Sequence, residues 1–216
     1  VINRGIDTDF FYDDINEKSI QELRNKYKIN QNKKIILFPG RITRWKGQLE
    51  FLKNITILKD SDYIVCFTGS IGNKLYYENL KLSIKKNNLN NNCKIFSNVS
   101  KDEFKTFLKI SKVVLSLPII PEGFGRTISE SLSMNKVVLG FDYGGVKDQL
   151  DGLDQFFKIP PKNYDEVIKK ILQIEKFSEQ GLMNLTSNCR EHIINKFSLR
   201  QMVNEYEHFY ENITNL

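Results

Sequence analysis

The sequence predicts an α/β protein: a doubly wound, Rossmann-like parallel sheet with helices on both faces. Short apolar runs rich in β-branched residues alternate with longer amphipathic stretches roughly five times along the chain. The runs lack the polar–apolar alternation of a half-exposed strand, which is typical of parallel strands buried on both faces. At 216 residues, 40% of them hydrophobic, the chain is long enough for one large domain.

The predicted strands are apolar runs at residues 34–38, 63–68, 94–96, 113–117 and 137–141. Helical spacing of apolar residues predicts helices at residues 48–58, 75–86, 103–110, 126–134 and 164–174. Residues 177–216 predict two further helices, broken near Phe197 and Ser198, and Ser198 suits the N-cap of the second. The last helix either packs on its own sheet or reaches toward another domain, and the pattern leaves both interpretations open. Its apolar stripe consists of Met202, Tyr206, Phe209 and Ile213.

The composition narrows the class of partner. Lys and Arg number 32 and Asp and Glu 26, a formal charge of +6, which favours nucleic acid, a membrane surface or a phosphorylated small molecule. The lysines are scattered over many predicted helices instead of forming a stripe with stacking aromatics, so no nucleic-acid partner is expected. No apolar run approaches the roughly 20 residues of a transmembrane helix.

The cysteines and the N-terminus bear on location. Three widely spaced cysteines, without a CxxC pair and with only two histidines, do not suggest a zinc site or a disulfide framework, and a reducing compartment fits better. Cys66 lies in the apolar run YIVCFT, where a buried thiol is expected. The N-terminus has neither an initiator Met nor the features of a signal peptide. We therefore expect a fragment of a longer, cytoplasmic chain.

Functional residues are sought at the carboxyl ends of the strands, where open α/β sheets bind their ligands. The first predicted strand is followed by PGRITRWKG, residues 39–47. Gly40 allows the backbone to approach a ligand, and Arg41 and Lys46 can contact phosphate oxygens. A surface loop with incidental charges is the alternative, because basic loops are common.

Two other strand ends carry weaker signals. In TGSIG, residues 68–72, Gly69 resembles part of a nucleotide cradle, although such glycine turns are mostly structural. The paired glycines of DYGGV, residues 142–146, allow a close approach of the backbone or simply form a tight strand–helix turn. Neither glycine turn after the first two strands matches GxGxxG or GxxxxGKS/T, which disfavours ordinary dinucleotide and P-loop sites.

The strongest signal is PEGFGRTISE, residues 121–130. Gly123 and Gly125 flank Phe124 just before a predicted helix, whose free N-terminal N–H groups favour an anion. Glu122 and, eight positions later, Glu130 can accept hydrogen bonds from sugar hydroxyls. The alternative is that Glu122 is a loop charge and Glu130 a solvated helix charge.

The ordered combination of GRITRWKG, PEGFGRTISE and VVLGFDYGG resembles the C-terminal half of the retaining GT-B glycosyltransferases of family 4 (glycosyl transferases group 1). NRGIDTDFF looks like the family's N-G-V-D-x-x-x-F segment, and FSLRQMVNEY is similar to its C-terminal stretch. The resemblance covers essentially the whole chain and implies a single donor-binding domain over residues 1–216. Residues 1–15 would be the interdomain linker region, and residues 197–216 a C-terminal helix that crosses toward an N-terminal domain.

The resemblance also implies roles for individual residues. Arg41 and Lys46 would bind the donor diphosphate and stabilise the negative charge of the leaving group. Glu122 would contact hydroxyls of the donor sugar, so the expected catalytic residues are Arg41, Lys46 and Glu122. Glu130 would hold the ribose. Residues 96–99 would face the base, and the amides of residues 123–126 would bind sugar or phosphate oxygens. The substrate-binding positions are Gly40, Gly69, Val99, Gly123, Phe124, Gly125, Arg126, Thr127 and Glu130.

Two departures from the family pattern bear on which base the donor carries. Neither departure removes a charged residue that would contact the donor. Asn135, Lys136 and Val137 stand where the family usually has Gly-x-Pro, and the glycine usual near Asn98 is missing.

The resemblance implies the donor-binding half of an enzyme that transfers a hexose from a UDP- or GDP-linked sugar to a glycan or lipid-linked acceptor with retention. Neither a metal nor another cofactor is expected, and cell-envelope polysaccharide is the expected product class. An N-terminal domain would supply the acceptor site and contact with the inner face of a membrane. The half alone would turn over little, because domain closure assembles the site. A non-catalytic nucleotide-sugar-binding module or inactive partner subunit is the alternative, which the presence of all four charged residues disfavours.

Overall fold

Six strands form one sheet in the computed structural model, which describes residues 2–59 and 61–214. The strands are β1 (Lys34–Pro39), β2 (Tyr63–Thr68), β3 (Cys93–Phe96), β4 (Ser111–Ser116), β5 (Val138–Phe141) and β6 (Lys158–Ile159). Their order across the sheet is β3-β2-β1-β4-β5-β6, and every neighbouring pair is parallel. The chain order reverses between β1 and β4, and at such a point the loops after the two strands separate and open a crevice.

Helices cover both faces of this sheet, which makes the fold Rossmann-like, as predicted. Side-chain caps fix several helix starts, because they satisfy N–H groups that have no partner inside the helix. Ser100 and Glu103 form a reciprocal capping box in which the Glu103 amide donates to Ser100 Oγ over 3.1 Å. The helices are α1 (Glu17–Tyr27), α2 (Gln48–Leu52), α3 (Lys74–Lys86), α4 (Lys101–Ile110), α5 (Arg126–Ser133), α6 (Gly144–Leu150), α7 (Tyr164–Ile174), α8 (Glu179–Thr186), α9 (Cys189–Phe197) and α10 (Leu199–Thr214).

The core confirms that the central strands are buried on both faces. All six residues of β2 are buried, and so are the last five of β1. Phe38 of β1 packs its ring 5.7 Å from those of Phe51 and Phe67, centroid to centroid, which joins strands β1 and β2 to α2. The predicted burial of Cys66 is confirmed, and burial raises the pKa of its thiol to about 12.

The five predicted strands are confirmed, with ends that differ by no more than two residues. Strand β6 was not predicted because it is only two residues long. Helix α6 was missed because it opens on Gly144 and Gly145, and glycine is a poor helix former. Helix α1 was missed as well. The helix predicted at residues 48–58 ends at Leu52 and is followed by a separate 3₁₀ turn, Ile55–Leu58.

The prediction of two helices after residue 177 was wrong, because the structure has three. Helices α8 and α9 are separate, with Ser187 and Asn188 between them. Thr186 and Ser187 each turn a side-chain hydroxyl onto a carbonyl of α8, over 3.0 and 2.9 Å. Such short polar side chains compete with the helical hydrogen-bond ladder, so the helix stops there.

The N-terminal segment is tied to the start of α10. Ile6 forms an isolated parallel bridge with Ser198, and its amide donates to the Phe197 carbonyl over 2.8 Å. The predicted N-cap is confirmed, because Ser198 Oγ accepts from the Gln201 amide over 3.1 Å.

The apolar stripe of α10 does not pack on the sheet of its own chain. Tyr206, Phe209 and Ile213 are 44%, 50% and 50% exposed, which is high for large apolar side chains. Of the two interpretations, packing on its own sheet is therefore excluded. Over the part of the chain that the structure describes, no helix is both long and apolar enough to cross a membrane.

Candidate functional site

The loops that follow β1, β2 and β3 are linked edge to edge at the carboxyl end of the sheet. The Gly40 amide donates to the Thr68 carbonyl over 2.8 Å, and the Gly69 amide donates to the Phe96 carbonyl over 3.1 Å. Across the crevice, the Ile119 amide donates to the Trp45 carbonyl over 2.8 Å and joins the β1 loop to the β4 loop. These backbone hydrogen bonds hold the loops after β1, β2, β3 and β4 in place around the crevice.

Glycine is required where the loops after β1 and β2 meet. Gly40 and Gly69 have φ angles of +135° and +145°, which side chains of L-residues rarely adopt. A Cβ on Gly69 would lie 2.3 Å from the Gly40 carbonyl oxygen. A Cβ on Gly40 would lie 3.2 Å from Lys46 Cε, so the lysine side chain passes over this glycine.

Lys46 meets Glu122 at the crevice between β1 and β4. The lysine ends the 3₁₀ turn Arg44–Lys46, and its Nζ forms an ion pair with Glu122 Oε1. The two side chains are only 12% and 5% exposed. The other carboxylate oxygen, Glu122 Oε2, is buried and has no hydrogen-bond partner among the described residues. Burial excludes the interpretation of Glu122 as a loop charge in solvent.

The paired glycines before α6 make room for the loop of residues 121–125 of the same chain. The Gly145 amide donates to the Glu122 carbonyl over 2.8 Å. A Cβ on Gly144 would lie 2.8 Å from that carbonyl oxygen, and one on Gly145 would lie 2.5 Å from the Gly123 carbonyl oxygen. The backbone of the α6 N-terminus therefore lies directly against the loop of residues 121–125, and this contact positions Glu122.

Helix α5 begins directly after this loop. Gly125 is its N-cap residue with a φ of +78°, and Arg126 is its first residue. One turn later, Glu130 is 6% exposed and pairs with the Arg126 guanidinium over 3.2 Å. Burial raises the pKa of Glu130, and the Arg126 charge opposes that rise. Glu130 is thus not a solvated helix charge, and both alternatives for the two glutamates are excluded.

A cleft of about 610 Å³ opens at this end of the sheet. Five predicted site residues line it, namely those at positions 122–126, together with Trp45, Ile120, Pro121 and residues 2–4. Lys46 reaches this group through Glu122. Within the described residues, no group of three or more His, Cys, Asp or Glu side chains is arranged to hold a metal ion.

The remaining predicted positions lie outside the lining of this cleft. The Arg41 side chain is exposed and lies against Gly72, where a Cβ would be 2.4 Å from Arg41 Cδ. Val99 is half-buried against the hydrophobic core, and Thr127 is half-buried in the first turn of α5. Gly40, Gly69 and Glu130 are likewise not part of the lining. The sequence therefore predicts a longer site than the cleft alone.

One residue that contacts the loop was missed by the sequence analysis. Gln149 lies on α6, is fully buried, and donates from its side chain to the Phe124 carbonyl. A signal was present: Gln149 lies between Val146 and Leu150 at the helical spacing of a core-facing residue, and a polar residue there must find partners.

Comparisons with known proteins give a consistent family. Residues 19–192 match the family described as glycosyl transferases group 1. Trehalose synthase of Thermococcus litoralis is 23% identical over 204 residues, 89% of this chain and 48% of that protein. The chain therefore spans about half the length of the curated relatives it matches.

Solved structures share the fold. A glycosyltransferase from Rickettsia africae has a TM-score of 0.91 and 29% identity, over 99% of this chain and 57% of that one. Anabaena HepE, solved in complex with UDP and glucose, has a TM-score of 0.83 and 20% identity, over 100% of this chain and 56% of that one.

Adding a methyl group at Gly145 is expected to destabilise the fold, whereas the same change at Gly123 is not. The new Cβ of Gly145→Ala meets backbone at 2.5 Å, so we expect a loss of about 1–3 kcal/mol in the free energy of unfolding. Gly123→Ala is the matched control, because nothing lies within 4 Å of its Cβ position. Urea unfolding of both variants measures the difference, and equal stabilities would show that the two loops do not pack as described.

The pH dependence of stability should report the burial of Glu130. Its folded-state pKa is raised above the ordinary value of 4.5, so the folded chain binds the Glu130 proton more tightly than the unfolded chain does. The free energy of unfolding therefore falls as pH rises through the raised pKa. Glu130→Gln lacks this loss, so its melting temperature should gain on the wild type as pH rises from acid to neutral. The exposed Glu207→Gln is the control without such a gain. Parallel curves for Glu130→Gln and wild type would contradict the assignment.

Proposed function

The chain belongs to the glycosyl transferases group 1 family, and on that premise we propose that it binds a nucleoside diphosphate sugar as the donor half of a glycosyltransferase. The observation that carries the proposal is the contact between Lys46 and Glu122. It joins a cation suited to phosphate and a carboxylate suited to sugar hydroxyls at one point beside a cleft. A donor molecule needs both groups at that spacing, since its diphosphate and its sugar are directly linked.

The phosphate side of the proposed site has three positive features. Lys46 has three N–H donors, so it can bind a phosphate oxygen and stay paired with Glu122. The N-terminus of α5, which follows Gly125, presents backbone N–H groups and the positive end of the helix dipole. Arg41, exposed on the loop after β1, is the third. Together these groups would stabilise the charge that develops on the leaving diphosphate.

The sugar side depends on Glu122. Its Oε2 atom is buried and has no partner within residues 2–59 and 61–214, which is costly in a folded protein, so a sugar hydroxyl that donates to it would form a charge-assisted hydrogen bond. Glu130 is proposed to hold the ribose, and residues 96–99 are proposed to face the base. Arg126 pairs with Glu130 and would share that contact.

The whole enzyme is proposed to transfer a hexose to a glycan or lipid-linked acceptor with retention. The bond between the sugar C1 and the β-phosphate oxygen would break with its electron pair on the phosphate. An acceptor hydroxyl oxygen would form the new bond to C1, and its proton would pass to the departing diphosphate. The order of motifs that the sequence shares with the retaining family supports this proposal. UDP- and GDP-linked donors both remain candidates, and the Anabaena structure with UDP and glucose favours testing UDP first.

A second domain is proposed to complete the site. The chain spans about half of its curated relatives, and the apolar stripe of α10 is exposed, as expected of a helix that crosses to another domain. Residues 1–15 are proposed as the link to that domain, which would bring the acceptor and a peripheral contact with the cytoplasmic face of a membrane. The isolated chain should accordingly bind donor and turn over little.

Calorimetric titration with UDP and GDP tests the donor assignment. We expect Lys46→Ala and Arg41→Ala each to weaken nucleoside diphosphate binding by about tenfold or more, because each removes a charged phosphate contact. Lys53→Ala is the control, since Lys53 is an exposed cation at the C-cap of α2 and not in a loop that follows a strand. Thermal unfolding of every variant confirms that the fold is intact.

The outcomes separate the candidate functions. Wild-type affinities in both variants would remove the phosphate assignment, and a folded wild type that binds neither nucleotide would remove the donor site. Binding in the chain, without transfer in a protein that also carries the preceding domain, would favour the non-catalytic module.

A further inference from the structure

Gln149 is a buried amide whose hydrogen-bonding capacity is fully used. Its Nε2 donates to the carbonyls of Phe124 and, over 2.8 Å, Gly145. Its Oε1 accepts from the Ser129 amide over 3.0 Å and from the Ser129 hydroxyl. Two donors and two acceptor positions are all that a glutamine side chain has. One side chain on α6 therefore holds both the loop of residues 121–125 and helix α5.

The orientation of this amide is fixed by its partners. Carbonyl oxygens only accept hydrogen bonds and a backbone N–H only donates, so Nε2 must face Phe124 and Gly145, and Oε1 must face the Ser129 amide. A carboxylate in the same place could accept from Ser129 but could not donate to either carbonyl. A leucine could do neither.

The contact with Ser129 shapes the N-terminus of α5. The Ile128 amide closes the first turn on the Gly125 carbonyl over 3.0 Å, and the next amide, that of Ser129, turns to Gln149 instead. The opposite side of the loop is fixed separately, because the Phe124 ring packs 5.8 Å from that of Phe197. The loop is thus held by its carbonyl on one side and by its ring on the other.

We propose that Gln149 is a positioning residue for the donor site. It does not line the cleft, and it acts through Phe124 and Ser129, which fix where Glu122 and the N-terminal amides of α5 lie. This inference rests on the proposed donor site. Its consequence is that donor affinity depends on the neutral, hydrogen-bond-donating amide at this position and not merely on a filled core.

Donor affinity of Gln149→Glu at two pH values tests the proposal. Near pH 8 the introduced carboxylate faces two carbonyl oxygens, so we expect UDP or GDP to bind about tenfold more weakly than to wild type. Near pH 6 a buried carboxyl begins to hold a proton and regains one donor, so the deficit should shrink severalfold. Gln149→Leu, which cannot donate at either pH, should keep its deficit. The exposed Gln180→Glu is the matched control and should follow wild type.

Other titrating groups near Gln149 affect the affinities of wild type and variant alike, so their effects cancel when the two proteins are compared at each pH. His192 Nε2 lies 2.9 Å from the Gln149 carbonyl oxygen, and Glu122 lies on the loop that Gln149 holds. Glu130 and Arg126 lie on α5, Lys147 and Asp148 lie on α6, and Asp151 follows α6. Wild type carries all of these groups and is measured at both pH values, so only the variant's excess change counts.

The outcomes are distinct. Gln149→Glu that is folded and binds like wild type near pH 8 overturns the proposal, as does a deficit that does not respond to pH. If neither Gln149 variant folds, Ser129→Ala decides, because it removes one bond to Oε1: weaker binding by a folded chain supports positioning and unchanged binding overturns it. Failure of wild type to bind either nucleotide would instead count against the donor site. In that case faster amide exchange at residues 123–126 in ligand-free Ser129→Ala supports the positioning role, and unchanged exchange overturns it.

Discussion

The site depends on one constraint: the backbone of residues 121–125 must lie directly against the backbone of the α6 N-terminus. Only glycine at 144 and 145 permits this, since a Cβ at either would meet a carbonyl oxygen within 2.8 Å. The approach brings Glu122 down to Lys46 at the point where the strand order reverses. The packed loops on both sides hold this ion pair away from water, with the two side chains 12% and 5% exposed.

The same backbone contact explains why Lys46 and Glu122 lie together at the crevice. The charge of +6 is spread over the chain, and Lys46 is a nearly buried cation that meets Glu122 at the crevice. The carboxylate it meets has one buried oxygen with no hydrogen-bond partner among the described residues. A nucleoside diphosphate sugar, the proposed donor, joins anionic phosphate to hydroxyl groups and could contact both members of this pair.

The central strands and the glycine-rich turns were predictable because their patterns are local. Burial of strands such as 34–38 on both faces leaves continuous apolar runs, and the motif around Glu122 is contiguous in the sequence. Other features were not local. The break at Ser187 depends on side chains competing with the helix, and the two-residue β6 has no pattern to detect. Two of the partners of Gln149, Ser129 and Phe124, lie 20 and 25 residues away in the sequence. The packing of Gly145 on Gly123 likewise joins two separate segments.

Backbone amide NMR of the chain titrated with UDP and GDP tests whether the donor binds at the crevice between β1 and β4. Donor binding at this crevice predicts shifts concentrated at Gly40, at residues 123–127 and at the Lys46 amide. It predicts none at a separate cavity of about 640 Å³, which lies beside α7 and is lined by residues including Asp165, Lys169 and Lys176. Shifts confined to that cavity, or none anywhere in a folded chain, would contradict the assignment of the donor site to the crevice between β1 and β4.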